Sequence, residues 1–334
     1  MDSLSQLVLG ASVAAFIAPA GQRRRALLVG AALGTLPDLD VLIRYGDPIR
    51  DFTMHRGFSH SLLVLPFVAS ALWMLWLAAS PAARPYRWRW LAAFQLALLT
   101  HPLLDALTVY GTQILWPLAT PPVMVGSMFI IDPAYTIWLL VGVLAAWRLR
   151  EHPRAGFWLG FGLAASSAYL GWSLYVQRHI AEAIAADQAK RDMHEARVLV
   201  VPAPLTTLAW RIVVMYPDGD YFEGWHSLLA PPRDVLLNNH SGNRDLLEPL
   251  ADQWAVQRLE WFTSGWYAAE EIDGRIVIED LRMGREGAYV FRFVVGERRD
   301  GEIVPVAPEQ LPWPSRADAG EWRALWRLVT EGTP

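Results

Sequence analysis

The sequence predicts a multi-pass α-helical membrane domain of about six helices, followed by a soluble α+β domain. Three observations predict it. The 334-residue chain is 53% hydrophobic, carries 17 Trp and has a mean hydropathy of +0.21, which is too apolar for an ordinary soluble enzyme of this size. Apolar runs of membrane length fill residues 1 to about 177. From about residue 178 short strand-like runs replace them. The expected boundary therefore separates residues 1–177 from residues 178–334.

Each element has its own signal. The first run, about 4–20, lacks a positive segment ahead of its apolar core and reads as a first membrane helix rather than a cleaved signal. The second, about 26–43, ends in Pro37-Asp38-Leu39-Asp40. Both are short and Gly-rich, so a re-entrant hairpin is the alternative for this pair, with Gly30 and Gly34 as a small-xxx-small contact. Further runs cover about 61–79, 90–108, 133–147 and 156–177. Arg-rich turns follow the first, third and fifth runs, and positive turns mark the cytoplasmic side. By that logic the polar clusters, and everything after the sixth run, lie on the periplasmic side.

Residues 178–197 read as a charged amphipathic helix leaving the membrane. Strand-like runs follow at 198–201, 207–216, 258–267, 275–281 and 287–295, with Asp273-Gly274 as a hairpin turn. A short helix is expected at 319–330. The mild net charge of -4, without a long basic run, argues against nucleic acid as a partner. The absence of Cys excludes disulfides and thiolate metal sites.

The candidate chemistry sits in the greasy half. Asp38, Asp40, His55, His60, His101 and Asp105 are ionisable groups at or inside membrane-length runs. Each costs about 2.5–3.5 kcal/mol near the bilayer centre, so six unpaired groups would cost on the order of 15 kcal/mol. They must lie near the interface, pair, or share a cation. Asp and His side chains suit a divalent ion, zinc or manganese above all. His101 and Asp105 are four apart and share a helix face; a His–Asp hydrogen bond packing two helices is the plain alternative. Asp38 and Asp40 would diverge by about 200° in a regular helix, so both face one ion only if Pro37 imposes a non-helical turn. Arg56 and Ser59 between the histidines suit substrate contacts, although Ser59 also reads as a helix cap and Arg56 as an interfacial charge. Asp132 opens the fifth run, where a carboxylate favours a helix N-terminus; it is also a candidate to orient or deprotonate water. His152, His179, His194, His226 and His240 read as surface residues.

The chain resembles the YdjM-like, domain-of-unknown-function 457 (DUF457) group of bacterial inner-membrane proteins classed as metal-dependent hydrolases. The resemblance rests on Asp2-Ser3-Leu4-Ser5-Gln6 with Gly10-Ala11, Gly34-Thr35-Leu36-Pro37-Asp38-Leu39-Asp40 and His55-Arg56-Gly57-Phe58-Ser59-His60-Ser61. It continues with Thr100-His101-Pro102-Leu103-Leu104-Asp105, Tyr110-Gly111-Thr112-Gln113 and Ile131-Asp132-Pro133. It implies hydrolysis with a bound metal and names no substrate. The chain departs from many relatives at Gln6, where they carry His, and at Ala15, near which some carry Glu.

Residues and resemblance together lead to a membrane-embedded metal-dependent hydrolase. Its expected substrate is lipid or phosphoester in class and associated with the lipid bilayer. The alternative is a non-enzymatic membrane protein such as a metal or ion transporter. A phosphatase with a His nucleophile ranks last, because only His101-x-x-x-Asp105 matches that signature.

Overall fold

A computed structural model describes residues 1–190, 195–231, 235–314 and 319–332. His194 lies outside the described residues. The chain divides into two compact units, Met1–Ile43 with Arg56–Ser173, and Arg44–His55 with Leu174–Pro334.

The first unit is helical. α1 (Ser3–Ile17) starts at Asp2, whose side chain accepts from the backbone N–H of Leu4 and Ser5 at 3.0 and 3.1 Å. α1 lies against α2 (Arg23–Thr35) so closely that a Cβ on Gly34 would stand 2.3 Å from the Gln6 carbonyl oxygen. Pro37 then opens a 3-10 turn, Pro37–Leu42, that carries both Asp38 and Asp40. α3 (Pro48–Met54) belongs to the other unit. α4 (Leu65–Ala79), α5 (Arg87–Ala106), α6 (Pro133–Leu149) and the start of α7 (Pro153–Lys190) complete the first unit. Its core joins Trp90, Phe94 and Leu98 of α5 to Ala14, Ala15, Ala26, Leu27 and Leu159. The small residues of α1 let large ones on α5 approach its backbone.

The second unit carries two four-stranded antiparallel meanders. One is β1 (Arg197–Pro202), β2 (Ala209–Met215), β3 (Tyr221–Ser227) and β4 (Leu237–His240); the other is β5 (Tyr267–Ile272), β6 (Arg275–Asp280), β7 (Arg292–Arg299) and β8 (Glu302–Gln310). Asp273 and Gly274, both at positive φ, make the two-residue turn between β5 and β6. Helices α8 (Trp254–Thr263) and α9 (Ala319–Glu331) accompany the sheets. α3 packs here: the Phe52 ring lies 4.8, 4.4 and 5.1 Å from those of Phe262, Phe291 and Phe293, and Arg258 donates to the Thr53 carbonyl at 3.1 Å.

The α+β expectation for the C-terminal part agrees with these sheets. One run within it does not: residues 258–267 are read as a strand, yet most of them lie in α8 and its C-terminal turn. Val256, Leu259 and Phe262 are buried at helical spacing, and the aromatic content misleads. The amphipathic helix expected over 178–197 is continuous with α7 as far as Lys190, and residues 191–194 lie outside the described residues.

The multi-pass membrane domain is corrected. Among the described residues no single helix is long and apolar enough to cross a membrane. α1 has 15 residues, about 22 Å at 1.5 Å per residue, against a hydrocarbon core of about 30 Å. α2, α4 and α6 have 13, 15 and 17 residues. α5 and α7 are long enough but not apolar enough; α5 carries Arg87, Arg89, His101 and Asp105. Only a pair bent by 59°, Pro48–His60 with Leu65–Ala79, passes by length and composition together. The apolar runs overstate helix length because their ends are spent on 3-10 turns and connections. The periplasmic placement relied on each run crossing once, so it loses its basis.

Candidate metal centre

The turn after α2, the 3-10 turn Phe58–His60 and the last turns of α5 bring four side chains together. Asp38, His60, His101 and Asp105 each offer one ligand atom, and these atoms all lie within 4.8 Å of one another. His60, His101 and Asp105 are fully buried, while the Asp38 side chain remains 21% exposed. His101 and Asp105 sit one turn apart on α5, with Pro102 inside the helix.

Hydrogen bonds fix the histidine tautomers. His101 Nδ1 lies 2.7 Å from the Gly34 carbonyl oxygen, which can only accept, so Nδ1 carries the proton. Ser59 Oγ donates its one proton to Asp40 Oδ2 at 2.5 Å and therefore accepts from His60 Nδ1 at 2.9 Å. Nε2 is then the ring atom that each histidine turns toward the carboxylates. The two Nε2 atoms face each other at 3.1 Å.

The carboxylates complete the same figure. Asp38 Oδ1 stands 3.5 Å from His60 Nε2 and 3.3 Å from His101 Nε2. Asp105 Oδ2 stands 3.2 and 3.6 Å from the same atoms. Asp105 Oδ2 is buried with no donor aligned on it; Arg56 Nε is 3.2 Å away, near enough for charge attraction but outside hydrogen-bond geometry. A tetrahedral ion with bonds of about 2.0–2.1 Å has ligand edges of about 3.3 Å. Five separations of 3.1–3.6 Å among these four ligand atoms match such edges and fit a divalent cation.

The charges are tuned together. Burial works against ionising Asp105, but Arg56, the Met1 amine and His60 hold its carboxyl well below the ordinary range. Burial likewise opposes charge on Asp38, and the hydrogen bonds to His101 and His60 overcome it, so its carboxyl is held low. For His60, burial lowers the pKa and the facing Asp105 and Asp38 raise it further than that. Two carboxylates kept ionised beside two imidazoles supply oxygen and nitrogen ligands of the kind a divalent ion takes, with Arg56 and the Met1 amine balancing part of the charge on Asp105.

The other predicted residues surround this group. Asp38 and Asp40 sit on opposite sides of His60: Asp38 faces Nε2, and Asp40 Oδ2 lies 3.6 Å from Nδ1. Asp40 also accepts from the Arg56 backbone N–H at 3.0 Å, so with Ser59 it orients His60 rather than joining the four. Arg56, in the left-handed region at φ 60, donates through Nη1 to Thr108 Oγ1 at 3.1 Å and lies over the Tyr110 ring at 4.8 Å. His55 is not among the four and falls in the second unit. Asp132 caps α6, accepting from Ala134 and Tyr135 N–H and from the Tyr169 hydroxyl at 2.9 Å; burial pushes its pKa up against those bonds.

Sequence reasoning missed several supporting groups. Gln6 Nε2 donates to Asp105 Oδ1 at 2.9 Å and to the His101 carbonyl at 3.2 Å. The Met1 amine also contacts Asp105 Oδ1. Thr108 bridges the Asp105 carbonyl and Arg56. Thr108 stands three residues after Asp105, a spacing that could have flagged it; nothing local flags the Gly34 carbonyl.

The sequence model of the YdjM inner membrane protein family matches residues 1–180. The chain is 24% identical over 203 residues to the uncharacterised protein YfhP of Bacillus subtilis (strain 168), covering 59% of this chain and 58% of that protein. It is 35% identical over 99 residues to the inner membrane protein YbcI of Escherichia coli (strain K12), covering 28% of this chain and 54% of that protein. The chain thus spans somewhat over half the length of these curated relatives. No solved structure matches.

Proposed function

This chain belongs to the YdjM inner membrane protein family, and from that premise we propose that it is a hydrolase dependent on one divalent metal ion. The observation that carries the reading is the set of four ligand atoms, two imidazole nitrogens and two carboxylate oxygens, with five separations of 3.1–3.6 Å among them. Asp38, His60, His101 and Asp105 would hold the ion. Two imidazoles with two carboxylates at this spacing favour zinc over manganese, which prefers more oxygen ligands. A bound ion of this kind activates water near neutral pH and polarises a phosphoryl or acyl oxygen.

The chain's own residues divide the remaining tasks. Asp38, the one ligand partly open to the outside, would mark the side from which water and substrate reach the ion. Asp40, through Ser59, fixes the His60 ring. Arg56 neutralises Asp105 from the buried side, so the inner wall stays ordered when the mouth exchanges substrate for product. Gln6 offers an amide that donates to Asp105 rather than an imidazole, which supports one ion rather than two.

We assign a membrane-associated substrate, a lipid or another phosphoester or ester. Leu39, Val41 and Leu42 on the turn with Asp38 are more than half exposed. Phe58, Leu63, Leu115 and Trp116 add further exposed apolar surface, with Phe58 and Trp116 in edge contact at 6.2 Å between ring centres. An apolar rim around a charged mouth suits a polar ester on a greasy chain. The test is a panel of lipid and soluble esters and phosphoesters, assayed with zinc or manganese on wild type and Asp38→Asn. Hydrolysis of a lipid ester that Asp38→Asn loses is expected; no turnover of any panel member by metal-loaded protein would refute the proposal.

A further inference from the structure

Residues 181–334 lie outside the family match, and the last helix among the described residues, α9, has an asymmetric surface. Its inner face is settled: Leu328 is buried, and Leu325 and Val329 pack with it against Ala203, Ala209 and Trp225. The opposite arc holds Trp322, Arg323, Trp326, Arg327 and Thr330. At 100° per residue these five span about 140° of the helix surface. Trp322 and Trp326 are 53% and 70% exposed. Trp322 precedes Trp326, and Arg323 precedes Arg327, by four residues each, so an indole row runs beside a guanidinium row. The arc carries no carboxylate; Glu331 closes it at the C-terminal end.

We propose that this arc of α9 docks on the surface of an anionic phospholipid bilayer. The chemistry selects that occupant. Trp is the side chain that settles at the headgroup level of a membrane, and Arg beside it finds lipid phosphates. A second copy of the chain does not suit the face. Two indoles offer on the order of 400 Å² of apolar surface, half of the roughly 800 Å² per partner that a stable protein interface buries. Two such arcs would also bring arginine against arginine. As an inner membrane protein the chain always has such a bilayer within reach. The inference does not depend on the metal centre.

The chain has no cysteine, so Thr330→Cys gives one labelling position at the edge of the arc. The full chain, carrying a nitroxide there, is placed in nanodiscs of phosphatidylcholine alone or mixed with phosphatidylglycerol. The readout is the ratio of collisions with oxygen to collisions with a water-soluble nickel chelate. The proposal expects the ratio to rise several-fold in the anionic discs. Trp322→Ala with Trp326→Ala, and separately Arg323→Ala with Arg327→Ala, should each return it to the aqueous value. A label on Asp300→Cys, in the exposed turn after β7, should stay aqueous throughout. An aqueous label at 330 in both lipids would overturn the proposal. So would immersion that survives the arginine replacements, or lipid-independent protection with spin–spin broadening, which would mean a second copy.

Discussion

Gly34→Ala tests how the helix packing serves the metal centre. The added Cβ would lie 2.3 Å from the Gln6 carbonyl oxygen and 3.1 Å from Gly10 Cα. Ordinary contact needs about 1 Å more, so α1 and α2 must separate by roughly that amount. Overpacking of this kind costs about 1–3 kcal/mol, and the better helix propensity of Ala returns up to about 1 kcal/mol. The net loss is about 1–2 kcal/mol, or about 2–8 °C in Tm. The displacement also reaches the site. The Gly34 carbonyl holds His101 Nδ1 at 2.7 Å, and Gln6, whose backbone is struck, holds Asp105. Metal affinity should fall at least tenfold, in line with other losses of ligand support. Gly171→Ala is the control, because nothing lies within 4 Å of a Cβ there, inside α7. It should stabilise by about 0.5–1 kcal/mol and leave metal binding alone. Thermal unfolding and chelator competition on both variants give the answer. A Gly34→Ala protein with wild-type Tm and wild-type affinity would refute the reasoning.

Asp40→Asn keeps the shape of the group that orients His60 but removes its charge. Metal affinity should drop about 10–100-fold while saturating metal still reaches wild-type stoichiometry; loss of stoichiometry would make Asp40 a ligand. Asp132→Ala should cost about 1 kcal/mol through the lost cap of α6, with metal content unchanged by mass spectrometry. Glu223→Gln breaks a buried pair with Arg211 at 2.6 Å and should destabilise by about 3 kcal/mol. Burial opposes the charge on Glu223, but Arg211 holds its carboxyl below the ordinary value of 4.5. Its contribution is therefore present above about pH 4.5 and is lost as pH falls through the lower folded value. The urea midpoint of wild type should fall more steeply with acidification than that of Glu223→Gln; parallel curves would contradict this.

Much of the candidate site could be read because its residue types are costly where they stand. A His or Asp in an apolar run asks for a partner, and Asp38, His60, His101 and Asp105 are found facing one another. Asp38 and Asp40 could not be told apart in sequence, since the 3-10 turn decides which of them meets His101. Hydropathy marked where most of the helices occur but not their bounds; Pro37, for example, opens a 3-10 turn inside the run at 26–43 without changing its apolar character. The groups that hold the four in place come from distant segments: Gln6 from α1, a carbonyl from α2, Arg56 from a left-handed turn. No local pattern announces such meetings. α8 was misread because strand-favouring aromatics also satisfy a helix face.

If Asp38, His60, His101 and Asp105 hold one divalent ion, as proposed, metal bound to the full chain must depend on them. The most direct test is metal content by mass spectrometry on detergent-purified full chain, beside His101→Ala and Asp105→Ala, each incubated with zinc and manganese. One equivalent is expected in wild type and none in either variant, with all three folded by circular dichroism. Folded wild type that stays metal-free would contradict it.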